Sequence, residues 1–310
     1  MATTGMQLQV ADLSGSRRRR RRERIIKALF LAAGAVSIVI SLLIVASLIG
    51  KAIDFLTKIH PSELFVGRWV PRSGDFGIFT LIAGTLVVTF IAMLVAAPIG
   101  LGAAIYLSEY ARPRVRRTLK PILEVLAGIP SVVLGYFALT VISPDLIQRF
   151  FSGTTVFSLA SAGIAVGILV TPLVASVAED AMFAVPGALR EASYGLGAKQ
   201  RTTSIRIVFP AAVSGIVASL ILGASRAIGE TMVVAIAAGA TGTAFFTLNP
   251  LDSGQTMTAA MSSLAIGSDA VGGHPATVQS LFFIGLLLFL ITLTLNTVAD
   301  RFVRRVRKTL

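Results

Sequence analysis

Six stretches of this chain are long and apolar enough to cross a hydrocarbon core, which takes about 20 helical residues at a rise of ~1.5 Å each. They cover residues 28–50, 78–107, 122–143, 156–178, 208–239 and 278–298. In lipid every backbone N–H and C=O must find its partner inside the protein, so apolar stretches of this length commit the chain to helix. The expected fold class is therefore all-α and integral to the membrane, with six transmembrane helices in one bundle. Apolar residues make up 55% of the 310, charged residues only 14%, far from the balance of a soluble domain. The second and fifth stretches are longer than a bilayer needs and are expected to tilt, bend or protrude, with Pro98 as the bend in the second. The first exceeds the ~7–15 residue core of a signal peptide and reads as a retained anchor.

Charge placement gives the expected orientation. Of the 28 Lys and Arg, eight precede the first span (Arg17–Arg22, Arg24 and Lys27), five lie between Arg112 and Lys120, four between Arg190 and Arg206, and five between Arg301 and Lys308. With an N-terminus inside the cell, all of these clusters are cytoplasmic, and only Lys51, Lys58, Arg68, Arg72 and Arg149 lie in external loops. Both termini are expected to be cytoplasmic. The organisation that follows is a basic cytoplasmic tail at 1–27, a first helix and external loop at 28–77, a transmembrane domain at 78–300 and a second basic tail at 301–310. The first tail is expected to be disordered away from the membrane. A net charge of +13 does not point to nucleic acid, because the tail's cations sit where they meet the anionic lipid of the inner leaflet.

Several chemistries are excluded by composition. Cysteine is absent, which removes disulfides, thiolate metal sites and cysteine nucleophiles. The two histidines, His60 and His274, lie in separate predicted loops, so no metal centre is expected. No nucleophile and base are brought together by any motif, so no catalytic residues and no cofactor are expected. Between the fourth and fifth spans, "GLGAKQ" lacks the Gly, four residues, Gly-Lys-Ser/Thr spacing of a phosphate loop, which leaves ATP binding by this chain unsupported.

That loop, "EASYGLGAKQRTTSIRIVFP" at 191–210, fits a different pattern: E-A-A, three residues, G, nine residues, I-x-L-P. Glu191, Ala192, Ser193, Gly197, Ile207 and Pro210 fall in register, with Ser193 in place of the second alanine and Phe209 in place of the leucine. A short helix around residues 190–196, interrupted at Gly197, is expected to insert into a groove on a soluble partner; the alternative is an amphipathic helix lying on lipid headgroups. The spacing resembles the coupling loop of ABC importer permeases. "LSEYARPRVRRTLKPILEVLAGIPSVVLGYFAL" at 107–139, "SRAIGETM" at 225–232 and "MTAAM" at 257–261 are similar to the phosphate-specific branch of that family, and to its PstC-type rather than its PstA-type subunits. The resemblance covers roughly residue 78 to the C-terminus.

It implies a type I importer permease fold, a second permease subunit of PstA type, ATP-binding subunits of PstB type and an extracytoplasmic phosphate-binding protein of PstS type. It also implies ATPase coupling through Glu191, Ala192, Gly197, Ile207 and Pro210.

The fifth span carries Arg226 and Glu230 near its middle. A cation at the bilayer centre costs roughly 2.5–3.5 kcal/mol even on lenient scales, so the pair needs a reason. Four residues apart on a helix, the two are separated by about 40° and ~6 Å and can pair. Beside them runs a small residue at every fourth position, Ala211, Gly215, Ser219, Gly223, Ala227, Thr231, Ala235 and Gly239, a seam that lets helices approach closely. Two readings stay open. The pair lines a substrate pathway, where the arginine fork holds phosphate and Glu230 moderates it, or it only locks helix packing. Ser131, after Gly128 and Pro130, is a further pathway candidate beside the plainer reading of a helix kink. Residues 251–274 exceed a tight connection and form either a surface loop or a short external or re-entrant helix around 255–266.

The function expected is a permease subunit for ATP-driven phosphate uptake in a bacterial cell membrane, not itself an enzyme. The alternatives are a permease for another oxyanion such as sulfate or molybdate, or, from a different class, a stand-alone secondary transporter or channel.

Overall fold

A computed structural model of the chain describes residues 17–239, 244–267 and 274–309. The chain divides into two compact units, Met1–Gly50 and Lys51–Leu310. Among the described residues six helices are long and apolar enough to cross a membrane: Arg21–Lys58, Ile78–Tyr110, Ser131–Gln148, Leu159–Phe183, Gln200–Ile228 and Thr277–Arg301.

The first unit contains most of α1 (Arg17–Lys58). The helix begins inside the basic run: from Arg17 onward the tail continues the first span, whose apolar residues propagate a helix already nucleated. The rest of that tail, 1–16, lies outside the described residues.

The second unit is built on α2 (Ile78–Ile105), which runs through Pro98 as one helix and ends in a wide π-type turn, Tyr106–Tyr110. After it comes α3 (Pro113–Leu126), with Pro113 in its first turn and four cations, Arg114, Arg116, Arg117 and Lys120. The third span was expected from residue 122. It starts at Ser131, because residues 122–126 complete the amphipathic α3 and Gly128 and Pro130 then stop the helix. The span itself is α4 (Ser131–Phe137) continued by π-type turns over Ala138–Gln148.

α5 (Leu159–Phe183) is capped by Ser158, whose side chain accepts from the Ser161 amide at 3.1 Å. Its partner in the core is α2. At Gly163 and Gly167 the two backbones come so close that a Cβ would stand 2.7 Å from the Cβ of Ile91 and of Val95, respectively. Val88, Ala92 and Ala96 of α2 and Ala162, Val166 and Val170 of α5 fill the space around these contacts. Beyond α5 lie α6 (Gly187–Gly195) and α7 (Gln200–Thr203), then π-type turns at Ser204–Val208 leading into α8 (Phe209–Ile228).

The expected small-residue seam is present along α8. A Cβ at Gly215 would meet Ala181 at 2.3 Å and one at Gly223 would meet Val174 at 2.7 Å, both on α5, while Ser219 and Ala227 are buried between. Ala211 is exposed and lies outside the seam. The fifth span does not continue to Gly239 as one helix. It ends at Ile228, and after a break at Gly229–Thr231 the chain resumes as α9 (Met232–Val234) and a π-type turn, Ala235–Gly239.

Residues 255–266 were left open between loop and helix. They form α10 (Met257–Ile266), buried rather than superficial. Thr256 caps it by accepting from the Ala259 amide at 3.2 Å, and the Met257 amide donates to the Thr85 hydroxyl at 3.0 Å. Gly84 lets α2 approach, since a Cβ there would lie 2.3 Å from the Gln255 carbonyl oxygen. Within the 251–274 stretch, residues 268–273 lie outside the described residues. α11 (Thr277–Thr309) is the last span and carries helix into the 301–310 tail.

At the end of the bundle where α2 and α11 begin, β1 (Arg68–Val70) pairs antiparallel with β2 (Asp75–Phe76) and β3 (Ala244–Phe245), in the order β2-β1-β3. Trp69 and Phe76 are buried there, and Phe55 meets Phe76 edge-on at 5.1 Å. The loop expected at 51–77 is therefore a small apolar cap. The other end carries α3, α6 and α7, and it is where the charged side chains converge.

Candidate functional site: a docking loop and a charged helix break

The loop from Gly187 to Val208 folds back on itself as two short helices. α6 ends in a Schellman turn: the Gly197 amide donates to the Tyr194 carbonyl at 2.9 Å and the Ala198 amide to the Ser193 carbonyl at 3.1 Å. This turn needs a left-handed residue, which is why Gly197 has φ +79°. Among the described residues, its chain neighbours and own helix backbone aside, no atom lies within 4 Å of a Cβ built at Gly197, so the space in front of it is open. Ser193, the departure from the second alanine, is buried, and its hydroxyl bonds that of Thr203 at 2.8 Å, stapling α6 to α7. Glu191 and Ala192 face outward, as does Leu196, which is 89% exposed. Ile207 is half-buried at the approach to α8, and Pro210 sits in that helix's first turn, where a missing N–H is tolerated.

What holds the loop to the bundle was not read from the sequence. Arg190, on the inner side of α6, donates through Nη2 to Glu109 Oε1 at 2.9 Å and through Nε to Oε2 at 3.4 Å. The same guanidinium donates to the carbonyls of Met182 at 2.8 Å and Val185 at 2.6 Å, satisfying oxygens at the C-terminal end of α5. Glu109 is 2% exposed, and its backbone carbonyl also accepts from the side-chain amide of Gln200 at the start of α7. Both limbs of the loop therefore meet at Glu109.

A second network lies beside it. Glu179, wholly buried near the end of α5, accepts from Arg116 Nε at 2.7 Å and from Lys120 Nζ at 2.8 Å, both on α3. Arg116 also lies 3.6 Å over the Phe183 ring, and Lys120 pairs with Asp180 as well. Partial burial disfavours the Lys120 ammonium, but its hydrogen bonds to Asp180 and Glu179 outweigh that and hold its pKa above the ordinary lysine value. The cations of 112–120 and 190–206 served in the sequence as orientation signals, with no partners assigned to them. Glu109, Glu179 and Asp180, acidic residues at span ends rich in apolar neighbours, were the available clue to these partners.

The structure brings Arg226 and Glu230 together, though not as a helical pair. α8 stops at Ile228, the Glu230 amide donates to the Ala227 carbonyl at 3.2 Å, and the Glu230 carbonyl accepts from the Thr258 hydroxyl of α10 at 2.7 Å. Arg226 Nη2 stands 3.7 Å from Glu230 Oε2, an ion pair wider than a hydrogen bond. The Glu230 side chain is 6% exposed, whereas that of Arg226 is 55% exposed, so half the guanidinium faces away from its partner. Next to it on the helix, Ser225 donates to Asn296 of α11 at 2.6 Å.

Ser131, expected mid-span, is the half-buried first residue of α4, directly after Pro130. One turn further on, a Cβ at Gly135 would stand 3.2 Å from the Cα of Val233, so α4 packs on the segment that follows the break. Among the described residues no cluster of three or more His, Cys, Asp or Glu could hold a metal ion.

Six membrane helices, a two-helix loop set on one end and a broken fifth span define a transport permease. The chain belongs to the family of binding-protein-dependent transport system inner membrane components, whose model matches residues 96–308. Phosphate transport system permease protein PstC of Pasteurella multocida is 31% identical, with 86% of each chain covered. PstC of Haemophilus influenzae is 33% identical over 83% of this chain and 85% of its own. Probable ABC transporter permease protein YqgH of Bacillus subtilis is 36% identical over 66% of this chain and 64% of its own length. Among solved structures, a bacterial ABC transporter involved in the import of the polysaccharide alginate superposes with a TM-score of 0.62 at 17% identity, covering 92% of this chain and 99% of that one. The methionine transporter MetNI, inward-facing, gives 0.53 at 19% identity over 74% and 94%. The fold is that of a type I ABC importer permease, as the resemblance implied.

Proposed function

We propose that this chain is one of two permease subunits of an ATP-driven phosphate importer, lining half of the pathway while separate subunits hydrolyse ATP. The observation that carries the reading is Arg226. A guanidinium half-exposed on a single subunit, at a break in a membrane helix, is too costly to face lipid and needs a water-filled or protein-lined neighbour. An arginine fork suits a tetrahedral oxyanion, and the buried Glu230 keeps the cation paired when no anion is bound. Ser131 begins α4, which packs at Gly135 on the segment that follows the break, and in this reading it joins Arg226 and Glu230 as a pathway residue. The substrate follows from relatives that carry phosphate transport in their names.

The partners in this reading are a PstA-type permease, PstB-type ATP-binding subunits that receive Glu191, Ala192, Gly197, Ile207 and Pro210, and a PstS-type binding protein at the sheet end. Both termini face the cytoplasm, which the charge asymmetry supports. The exposed Leu196 and the open space before Gly197 suit insertion into a groove on the ATP-binding subunit.

Two substitutions test the loop. Gly197→Glu is expected to reduce co-purification of the ATP-binding subunit about tenfold or more, equivalent to ~1.4 kcal/mol, by filling the docking face and straining the turn. Gly197→Ala, which strains the turn by about 1–2 kcal/mol but adds one methyl, should have the smaller effect. Unchanged co-purification of the Glu variant would count against docking at this loop.

A further inference from the structure

We infer that Glu109 is the positioning residue through which movement of the docking loop reaches the membrane helices, an inference that rests on the docking reading above. Glu109 lies in the π-type turn that ends α2, not in the loop, yet both limbs of the loop are attached to it. Its carboxylate takes Arg190 of α6 and its carbonyl takes Gln200 of α7. Arg190 simultaneously closes the end of α5 through the Met182 and Val185 carbonyls. One guanidinium therefore ties α6 to α2 and α5 together.

Those two helices cannot separate easily, because their contacts at Gly163 and Gly167 are backbone-close. A displacement of α6 must carry the α2–α5 pair with it or pull apart a charge-assisted network whose carboxylate is 2% exposed. The outward face of α6 is left to the partner, since Glu191, Ala192 and Leu196 play no part in this attachment. The staple between Ser193 and Thr203 makes the two limbs move as one, so force applied at α6 also arrives through Gln200. Docking and transmission are thus divided between the two sides of one short helix.

The test uses the complete importer, with its ATP-binding subunits, second permease and binding protein, in proteoliposomes supplied with phosphate and ATP. Glu109→Gln keeps the side chain's size and removes its charge. The expected result is normal retention of the ATP-binding subunit with phosphate moved per ATP hydrolysed falling about tenfold, within the usual range of coupling between sites. Glu109→Asp, which keeps the charge, should recover part of the ratio. A merely structural role lowers transport and hydrolysis in parallel, so an unchanged ratio in Glu109→Gln would overturn the inference, whatever the absolute rates. Loss of the ATP-binding subunit from this variant would also overturn it, making Glu109 a determinant of docking instead. Absence of that subunit from the wild-type complex would refute the docking reading itself, and the inference with it.

Discussion

Arg226→Ala is expected to abolish phosphate uptake while the subunit still inserts and assembles. The substitution removes the only arginine within a predicted span, half-exposed where two helical segments meet, and in the pathway reading it also removes the two charge-assisted hydrogen bonds that the fork would offer an oxyanion. Bonds of that kind contribute about 1.5–3 kcal/mol each, so a loss of at least roughly 100-fold in uptake is expected. Arg226→Lys, which keeps the charge without the planar fork, should retain a fraction of activity. The competing reading makes the pair a lock on helix packing. It predicts that Arg226→Ala lowers the melting temperature of the purified subunit and leaves uptake by the surviving protein near normal. Normal uptake by the alanine variant would remove Arg226 from the pathway.

Gly167→Val should be the most damaging single substitution for folding. At this position the α2 and α5 backbones are so close that a Cβ would stand 2.7 Å from the Val95 Cβ and 2.9 Å from the Ala92 carbonyl oxygen. A side chain can rotate away, but a backbone oxygen on the facing helix cannot, so the helices must separate along their main contact. Overpacking of this kind costs about 3 kcal/mol at the upper end of its range, a large share of a typical margin of ~5–15 kcal/mol. Thermal unfolding of the detergent-solubilised chain provides the readout, with a lowered midpoint or loss of monodisperse protein expected. An unchanged midpoint would mean that α2 and α5 do not pack as described.

The six spans were legible because membrane solubility is written in composition over about 20 residues, a scale that the sequence displays openly. The turn within residues 191–210 was legible for a different reason. Its left-handed turn demands glycine at one position, and Gly197 supplies it at the expected place. The break after Ile228 was not legible, since "GETMVVAIAAG" remains apolar and small and no proline marks it. Its cause is tertiary: the Glu230 carbonyl, freed from the helix ladder, is taken by Thr258 from a helix 28 positions further on. The third span was misplaced by nine residues, 122 against 131, because the apolar side of α3 runs into it without a change in composition. The sheet escaped notice because strands of two and three residues carry no alternation to read. Glu109 and Arg190 are 81 positions apart, beyond the reach of any local pattern, so the loop's own motif carried no sign of what holds it to the bundle.

The most direct measurement is phosphate accumulation in proteoliposomes that hold this chain, first by itself and then with its second permease, its ATP-binding subunits and its binding protein. No uphill uptake by the isolated chain is expected, and ATP-dependent accumulation should begin only when the full set is present. Sustained uphill accumulation by the chain alone, with no nucleotide-hydrolysing subunit in the vesicles, would contradict a permease driven from outside itself.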